Sequence, residues 1–175
     1  MMKNKLFSLI IFFSLFFVFI SHSQILEPIK WDINIDNSKY ESNKTLKLIF
    51  KPTTEVGWYI YSSDNDSNSG PRTEFEFNSN KTYTLNGNVV PVNVKTKFDE
   101  VWDAEVRYLD NTGYFSQEVK SVSDNVSISG YISYQVCSEI EKLCIPLEKD
   151  FVFFNDSPED TIVYQEDTLS FDEEK

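Results

Sequence analysis

Short runs in which apolar and polar residues alternate follow one another along the chain from Trp31 onward. Alternation with a period of two places apolar side chains on one face of a β-strand, whereas a helix would need a period of about 3.6 residues. No run has the helical period. About eight short strands with polar turns between them predict an all-β fold, an immunoglobulin-like antiparallel β-sandwich. The runs are Trp31, Ile33 and Ile35; Leu46, Leu48 and Phe50; Trp58 and Ile60 against Tyr59 and Tyr61; Phe75 and Phe77; Val92 and Val94; Val106 to Leu109; Tyr114 to Val119; and two strands that carry the cysteines.

The only two cysteines of the chain, Cys137 and Cys144, have six residues between them and stand at the predicted tip of a hairpin. The apolar phase of the first strand runs from Val126 to Val136, so Cys137 falls on the polar phase if the pleat has no bulge. Cys144 shares the polar phase of the return strand with Glu148. The pattern therefore predicts that both sulfurs lie on the wetter face of the hairpin, close to each other.

Two interpretations of this cysteine pair remain open from the residues alone. A structural disulfide closing a loop of about eight residues would stabilise the fold by about 2 to 3 kcal/mol in the chain-entropy model. A redox dithiol would instead exchange with a partner protein, which requires a sulfur that the partner can reach. The spacing favours the structural disulfide, and the polar phase of both cysteines favours exchange.

The first 23 residues have the composition of a secretory signal peptide. Lys3 and Lys5 precede an apolar run from Leu6 to Ile20, and small polar residues follow it, so cleavage is expected after Ser23. A transmembrane anchor is the alternative, although the run is a little short to cross a bilayer. Cleavage would leave a protein that is not embedded in the membrane, in the periplasm or another exported compartment that permits disulfides.

Three segments are expected along the chain: a signal peptide over 1–23, one β-sandwich domain over 24–154, and an acidic disordered tail over 155–175. No internal repeat or interior linker divides the middle segment. The tail combines many acidic residues with little apolar periodicity, which is typical of disorder. We expect the domain to be a monomer.

Charge and histidine content exclude several classes of function. The formal net charge is −12 at pH 7, and loss of residues 1–23 removes two lysines and no acids, which leaves −14. Nucleic acids are therefore not expected as partners, because binding them needs basic surface. The only histidine, His22, lies in the signal segment. The mature chain has no residue for a Ser/His/Asp or Cys/His mechanism and no imidazole ligand, and we expect neither a metal nor another cofactor.

The polar loop Ser62–Gly70 has a partial resemblance to a calcium loop. Oxygens of Asp64, Asp66 and Asn68 stand at alternate positions, as calcium ligands do. The glycine is one place late, however, and Phe75 stands where a bidentate glutamate is needed. An ordinary solvated loop is the favoured interpretation.

The segment Lys97–Asp103 places Phe98 and Trp102 among acidic residues between two predicted strands. Aromatic side chains in such segments are usually tucked against the edge of the core. The alternative is a movable cover over a reactive site.

Several residue strings occur in one order, behind a signal peptide and ending on a hairpin cysteine pair followed by proline. They are Pro28–Trp31, Gly57–Ser62, Gly70–Phe77, Tyr134–Cys137 and Cys144–Pro146. Together they resemble the N-terminal periplasmic domain of the DsbD family of thiol:disulfide interchange proteins. The resemblance covers nearly all of the mature chain up to Phe154.

The resemblance implies a protein-disulfide reductase component with an immunoglobulin-like fold. It would accept electrons from a membrane-coupled thioredoxin-like protein and hand them to periplasmic disulfide proteins. Cys137 and Cys144 would be the redox pair, with Cys144 forming the mixed disulfide and Cys137 resolving it. Tyr59 and Tyr61, which share one face by alternation, would line the site.

The segment from Phe98 to Trp102 would correspond to the cap loop that shields the sulfurs when no partner is docked. Its register is ambiguous. Either Phe98 or Trp102 could be the covering ring, and either Asp99 or Glu100 could be the acid near the cysteines. The family's full-length proteins continue into a membrane domain and a thioredoxin-like domain, whereas this sequence stops after its acidic segment. A separate protein is therefore expected to supply the electrons, unless the domain serves another use.

Charges near the cysteines predict a poorly reactive free thiol. Glu139, Glu141 and Glu148 disfavour a thiolate, and Lys142 favours one, so the acids outnumber the lysine. Activation would then depend on the docked partner.

A different class of function is also consistent with the residues. Aromatic side chains exposed on a β surface could bind a protein or glycan, with the disulfide acting only as a hairpin staple. The residues concerned are Trp58, Tyr59, Tyr61 and Trp102.

Overall fold

The computed structural model describes residues 26–36, 38, 44–66, 70–100, 102–123 and 125–155. The expected signal segment, and the expected tail beyond Asn155, lie outside these residues. Within them there are ten strands and no helix. The strands are β1 (Ile29–Asp36), β2 (Thr45–Thr54), β3 (Trp58–Tyr61), β4 (Glu74–Phe77), β5 (Tyr83–Val92), β6 (Lys95–Asp99), β7 (Ala104–Leu109), β8 (Tyr114–Ser121), β9 (Val126–Ser138) and β10 (Leu143–Asn155).

The strands form two antiparallel sheets. One sheet has the order β1-β2-β8-β5, and the other has the order β10-β9-β3-β7-β6, with β4 also paired to β9. Apolar side chains of both sheets meet in one core; the ring of Phe50 on β2, for example, lies 5.1 Å from that of Phe151 on β10. The expected all-β, immunoglobulin-like β-sandwich is confirmed.

Strand β9 shows the alternation expected from its sequence. Its even-numbered residues from Val126 to Val136 are buried, and the odd-numbered ones up to Gln135 are more exposed. The same rule places Trp58 and Ile60 of β3 in the main core, while Tyr59 and Tyr61 face the other side of the sheet. Strand β3 is therefore buried on both faces.

Strands β5 and β6 were not expected in their observed form. The sequence predicted a strand around Val92 and Val94 and a loop over Lys97–Asp103, but β5 ends at Val92 and β6 includes residues 97–99. Most residues of β5 are exposed, and its pairing with β8 shifts between Asn86 and Val90. Strands with so little burial and a bulge carry no strong apolar alternation, because few of their side chains enter the core.

Gly130 allows β4 to pair with β9. A Cβ atom at this position would lie 1.9 Å from the backbone oxygen of Glu76 and 2.7 Å from Cζ of Phe151. We expect Gly130→Ala to lower the free energy of unfolding by about 1 to 3 kcal/mol, because backbone cannot move aside as a flexible side chain can. Urea denaturation measures this change. Ser127→Ala, on the other face of the same strand, is the control and should change stability by less than about 0.5 kcal/mol.

Candidate functional site

The two cysteines face each other across the β9–β10 pair and form a disulfide. Their Cα atoms lie 4.1 Å apart, close to the separation of about 4.5 Å that is usual for a facing antiparallel pair without hydrogen bonds between its two residues. The short loop 139–142, called the cysteine loop below, joins the two strands. The disulfide therefore crosses the end of one hairpin, as the alternation predicted.

The two cysteines differ in exposure. Cys144 is exposed, whereas Cys137 is only 1 % exposed. The expectation that both lie on the wetter face is therefore wrong for Cys137. Its strand phase is as predicted, since it does not belong to the main core, but side chains from two other strands cover it. Alternation states which face a side chain occupies, and it cannot state what packs on that face.

Three tyrosines and Val106 form the cover over Cys137. Tyr59 is the cross-strand partner of Cys137, and its ring makes edge contacts with those of Tyr61 and Tyr108, at centroid distances of 5.6 and 5.3 Å. We call Tyr59, Tyr61 and Tyr108 the tyrosine cluster. The shared face predicted for Tyr59 and Tyr61 is confirmed.

A buried hydrogen bond joins the tyrosine cluster to β6. The hydroxyl of Tyr61 donates to Oδ2 of Asp99 at 2.9 Å, and Asp99 is 8 % exposed. Burial, together with hydrogen bonds to Tyr59 and Asp99, raises the pKa of Tyr61 well above its ordinary value. Tyr61 is therefore a neutral hydrogen-bond donor at any physiological pH.

A hairpin lies beside the disulfide. It consists of β6, β7 and the turn between them, residues 95–109, and we call it the cap hairpin. Alternation places Lys97 and Asp99 toward the tyrosine cluster and Phe98 on the opposite face. Phe98 is 62 % exposed and stands across from Glu105. Trp102 is 47 % exposed and lies against Gly70, where an added Cβ would be 3.1 Å from its ring.

The structure thus brings together four of the expected site residues, namely Cys137, Tyr59, Tyr61 and Asp99, with Cys144 at the exposed end of the disulfide. Neither Phe98 nor Trp102 belongs to the buried cluster around Cys137. Glu100 is exposed at the turn. Of the two acids between which the sequence could not decide, Asp99 is the one that is buried against the cluster.

Lys97 is a residue of this site that the sequence did not identify. Its Nζ lies 3.5 Å from the centroid of the Tyr59 ring and 2.6 Å from Oε1 of Glu139 in the cysteine loop. Burial alone would lower the pKa of Lys97, but hydrogen bonds to Glu139 and Tyr59 outweigh it and raise the pKa. The sequence offered no signal for it, because residues 97–103 were expected to lie between strands; in the structure Lys97 shares its strand face with Asp99.

A shallow depression continues from the disulfide along the same face of the sheet. Its lining includes Pro146 and Gln135, each two residues from a cysteine, and Gly70, Pro71 and Arg72 on the far side. Trp102 lies on Gly70. The depression therefore lies near the exposed cysteine, and one of its lining residues, Gly70, is in contact with Trp102.

The loop with the partial calcium pattern uses its polar groups internally in the part that is described. Asp64 accepts a hydrogen bond from Ser62 and pairs with Arg107 at 2.6 Å, and the amide of Asn65 donates to backbone oxygens. No cluster of three acidic, histidine or cysteine residues suited to a metal occurs among the described residues. The described part of the loop therefore supports neighbouring strands through these contacts.

Burial also changes the interpretation of the aromatic residues as an exposed binding surface. Trp58, Tyr59 and Tyr61 are buried, and Trp102 alone of the four is exposed. The expectation of an exposed aromatic patch is therefore wrong for the three residues of β3, because this strand is covered on both faces.

Comparison with known proteins identifies the family. The family model described as "Thiol:disulfide interchange protein DsbD, N-terminal" matches residues 30–156. No curated protein sequence matches, and no helix among the described residues could span a membrane.

Two solved structures are similar in fold. The N-terminal periplasmic domain of ScsB from Proteus mirabilis is 17 % identical, with a TM-score of 0.51, over 73 % of this chain and 46 % of that one. This chain thus covers less than half of that solved domain's length. The reduced DsbD N-terminal domain from Neisseria meningitidis is 15 % identical, with a TM-score of 0.49, over 74 % and 89 % of the two chains. The family match spans both sheets and the cysteine hairpin, and the chain belongs to the DsbD N-terminal family of thiol:disulfide interchange proteins.

Proposed function

We propose that this domain relays electrons by thiol:disulfide exchange, from a membrane-coupled thioredoxin-like donor to periplasmic disulfide proteins. The redox pair is Cys137 and Cys144. The observation that carries the proposal is the unequal exposure of the two sulfur-bearing residues, with Cys144 exposed and Cys137 buried. Exchange needs one sulfur that a partner thiolate can reach. Membership of the family supports the same chemistry.

The order of the steps follows from this exposure. A partner thiolate attacks Sγ of Cys144 and forms a bond with it, while the bond between Cys144 and Cys137 breaks and its electron pair leaves on Cys137. The partner's second thiolate then attacks the partner sulfur of this mixed disulfide, and Cys144 leaves. The partner ends as a disulfide, and the domain holds two electrons as a dithiol after both sulfurs take protons from water. The reverse sequence reduces a target.

The cap role belongs, in this proposal, to the turn of the cap hairpin. The hydrogen bond between Tyr61 and Asp99 ties the start of that turn to the tyrosine cluster. Phe98 and Trp102, both exposed, would contact a docked partner. The peptide next to the partner's cysteine would occupy the depression lined by Gly70, Pro71, Gln135 and Pro146.

The periplasmic location, cleavage after Ser23 and a monomeric state are parts of the same proposal. The similar ScsB domain is described as periplasmic, and residues 1–23 have signal-peptide composition. The proposed domain over 24–154 is supported by the family match over residues 30–156 and by the last strand, which ends at Asn155.

A hairpin staple is the competing function, and the burial of Cys137 favours it. A disulfide between adjacent strands could simply hold the cap hairpin and the cysteine loop in place. The two functions differ in what reduction does to the domain. A staple leaves a destabilised or unfolded protein when it is reduced, whereas an electron relay must stay folded in both states.

The reduction potential of the Cys137–Cys144 couple tests the proposal. The purified domain is equilibrated in dithiothreitol and glutathione buffers of defined potential, and the thiol fraction is read by alkylation and mass. We expect a value clearly above about −300 mV, with the reduced domain still folded by circular dichroism, because structural disulfides usually lie below that value. A lower value, or unfolding on reduction, would reject the electron relay in favour of the staple. Cys137→Ala combined with Cys144→Ala shows the stability of the fold without either sulfur.

A further inference from the structure

Cys137 is the sulfur that must accept the electron pair when a partner attacks Cys144. Its burial disfavours the thiolate, because a charge in an apolar environment loses its hydration. Exchange is slower when the leaving thiol has a high pKa. A site that buries its leaving sulfur therefore needs a positive charge near it.

The charged and titratable groups around the disulfide come from five parts of the described chain. Two of these groups are cations, those of Lys97 and Lys142. Lys142 is exposed in the cysteine loop, whereas the side chain of Lys97 is 18 % exposed. The full set is Tyr59 and Tyr61 on β3, Tyr108 on β7, Lys97 and Asp99 on β6, Glu139, Glu141 and Lys142 in the cysteine loop, and Glu148 on β10.

The position of Lys97 links it directly to the cover of Cys137. Its ammonium lies over the ring of Tyr59, the residue that pairs with Cys137 across β3 and β9. A cation this close to an aromatic face is held by the ring as well as by its ion pair. Because Lys97 is mostly shielded from water, its charge is screened less than that of an exposed lysine.

Glu139 opposes part of this charge. Its carboxylate lies 2.6 Å from Nζ of Lys97, and it stands two residues from Cys137. At about 3.3 Å per extended residue, that places its backbone within roughly 7 Å of the backbone of Cys137. The net field at the sulfur therefore depends on both members of the ion pair.

We propose that Lys97 is a positioning residue that stabilises the Cys137 thiolate as it leaves, and that Glu139 sets how much of that positive charge acts on the sulfur. This inference rests on the proposed function, in which Cys144 is attacked first. The reacting bonds and electrons are those of the exchange step above, and Lys97 takes no part in proton transfer. Lys97 would act in this way whichever partner supplies the thiolate that attacks Cys144.

The test is the rate at which dithiothreitol reduces the oxidised, full-length mature protein, followed by stopped-flow tryptophan fluorescence. We expect Lys97→Met to slow reduction by about three- to tenfold and Glu139→Gln to speed it by about two- to fivefold, since the two changes move the leaving-group pKa in opposite directions. Lys97→Arg keeps the charge over Tyr59 and should stay within about twofold of the wild type.

Lys95→Met is the matched control. Lys95 lies two residues earlier on the same face of β6, but it pairs with Asp110 at the other end of the cap hairpin. Its replacement should leave the reduction rate unchanged. Circular dichroism and thermal unfolding of each variant separate a change in rate from a loss of fold.

Opposite signs for Lys97→Met and Glu139→Gln support the inference. The same sign for both overturns it, because an ion pair that only latched the cap hairpin to the cysteine loop would be broken equally by either change. Equal rates in all variants also overturn it. Dithiothreitol needs no protein partner, so failure of this inference is distinct from failure of the electron relay, which the potential and the folding of the reduced domain decide.

Discussion

Single-cysteine variants should differ in reactivity by at least about tenfold, with the reactive thiol at Cys144. Cys137→Ser leaves Cys144 alone on the exposed side of the hairpin. It should attack a single-cysteine thioredoxin activated as a disulfide with an aromatic thiol, displace that thiol and remain trapped as a mixed disulfide, because no second thioredoxin thiol can reverse the step. Cys144→Ser leaves only the buried Cys137, which a protein disulfide cannot reach under the tyrosine cluster. Non-reducing gels and intact mass measure the trapped complex over time.

The control for this asymmetry is the same pair of variants in denaturant, reacted with a small aromatic disulfide. Both thiols should then react at similar rates, because the difference arises from folded structure and not from neighbouring residues in the chain. Faster trapping by Cys144→Ser in the folded state would reverse the assigned order of attack. Equal trapping would mean that the cover over Cys137 opens freely.

Phe50→Ala should lower the free energy of unfolding by about 3 to 5 kcal/mol, the largest stability change that we expect from one substitution in this domain. Phe50 is fully buried on β2, and its ring centroid lies 5.0 Å from that of Phe75 and 5.1 Å from that of Phe151. Removing it leaves a cavity between the two sheets that the surrounding rings can fill only in part. Urea denaturation at fixed redox state measures the loss.

Phe154→Ala is the matched control for this prediction. Phe154 is 54 % exposed on β10, in the sheet opposite β2. Its replacement should cost less than about 0.5 kcal/mol, as expected for an exposed position away from special features. Comparable losses in the two variants would contradict the location of the core between Phe50 and Phe151. A large loss of exchange activity in folded Phe50→Ala would show that the site depends on the packing beneath it.

Strand phase was the part of the site that the sequence could predict. Alternation placed Tyr59 and Tyr61 on one face and Cys137 outside the main core, and the structure confirms both. It also placed the two cysteines across from each other at one hairpin end. These predictions depend only on neighbours in sequence and on the period of two, so they can be made without knowledge of the fold.

Contacts between distant strands were the part that the sequence could not predict. The burial of Cys137 comes from β3 and β7, about 30 to 80 residues away along the chain, and the register of β6 decides that Asp99 rather than Phe98 faces the cluster. The contact of Lys97 with Glu139 joins residues 42 positions apart. A local sequence pattern carries no information about contacts between residues so far apart in the chain.

The sequence by itself determined the all-β class and the hairpin that carries the cysteines, because each depends on a local period. Only the tertiary structure decided which sulfur is exposed, which acid is buried and where the positive charge of the site lies. The physical reason is that exposure and electrostatic environment are properties of packing between strands. The face that a side chain occupies is set by its own strand, but its solvent exposure and its contact partners are set by the other strands.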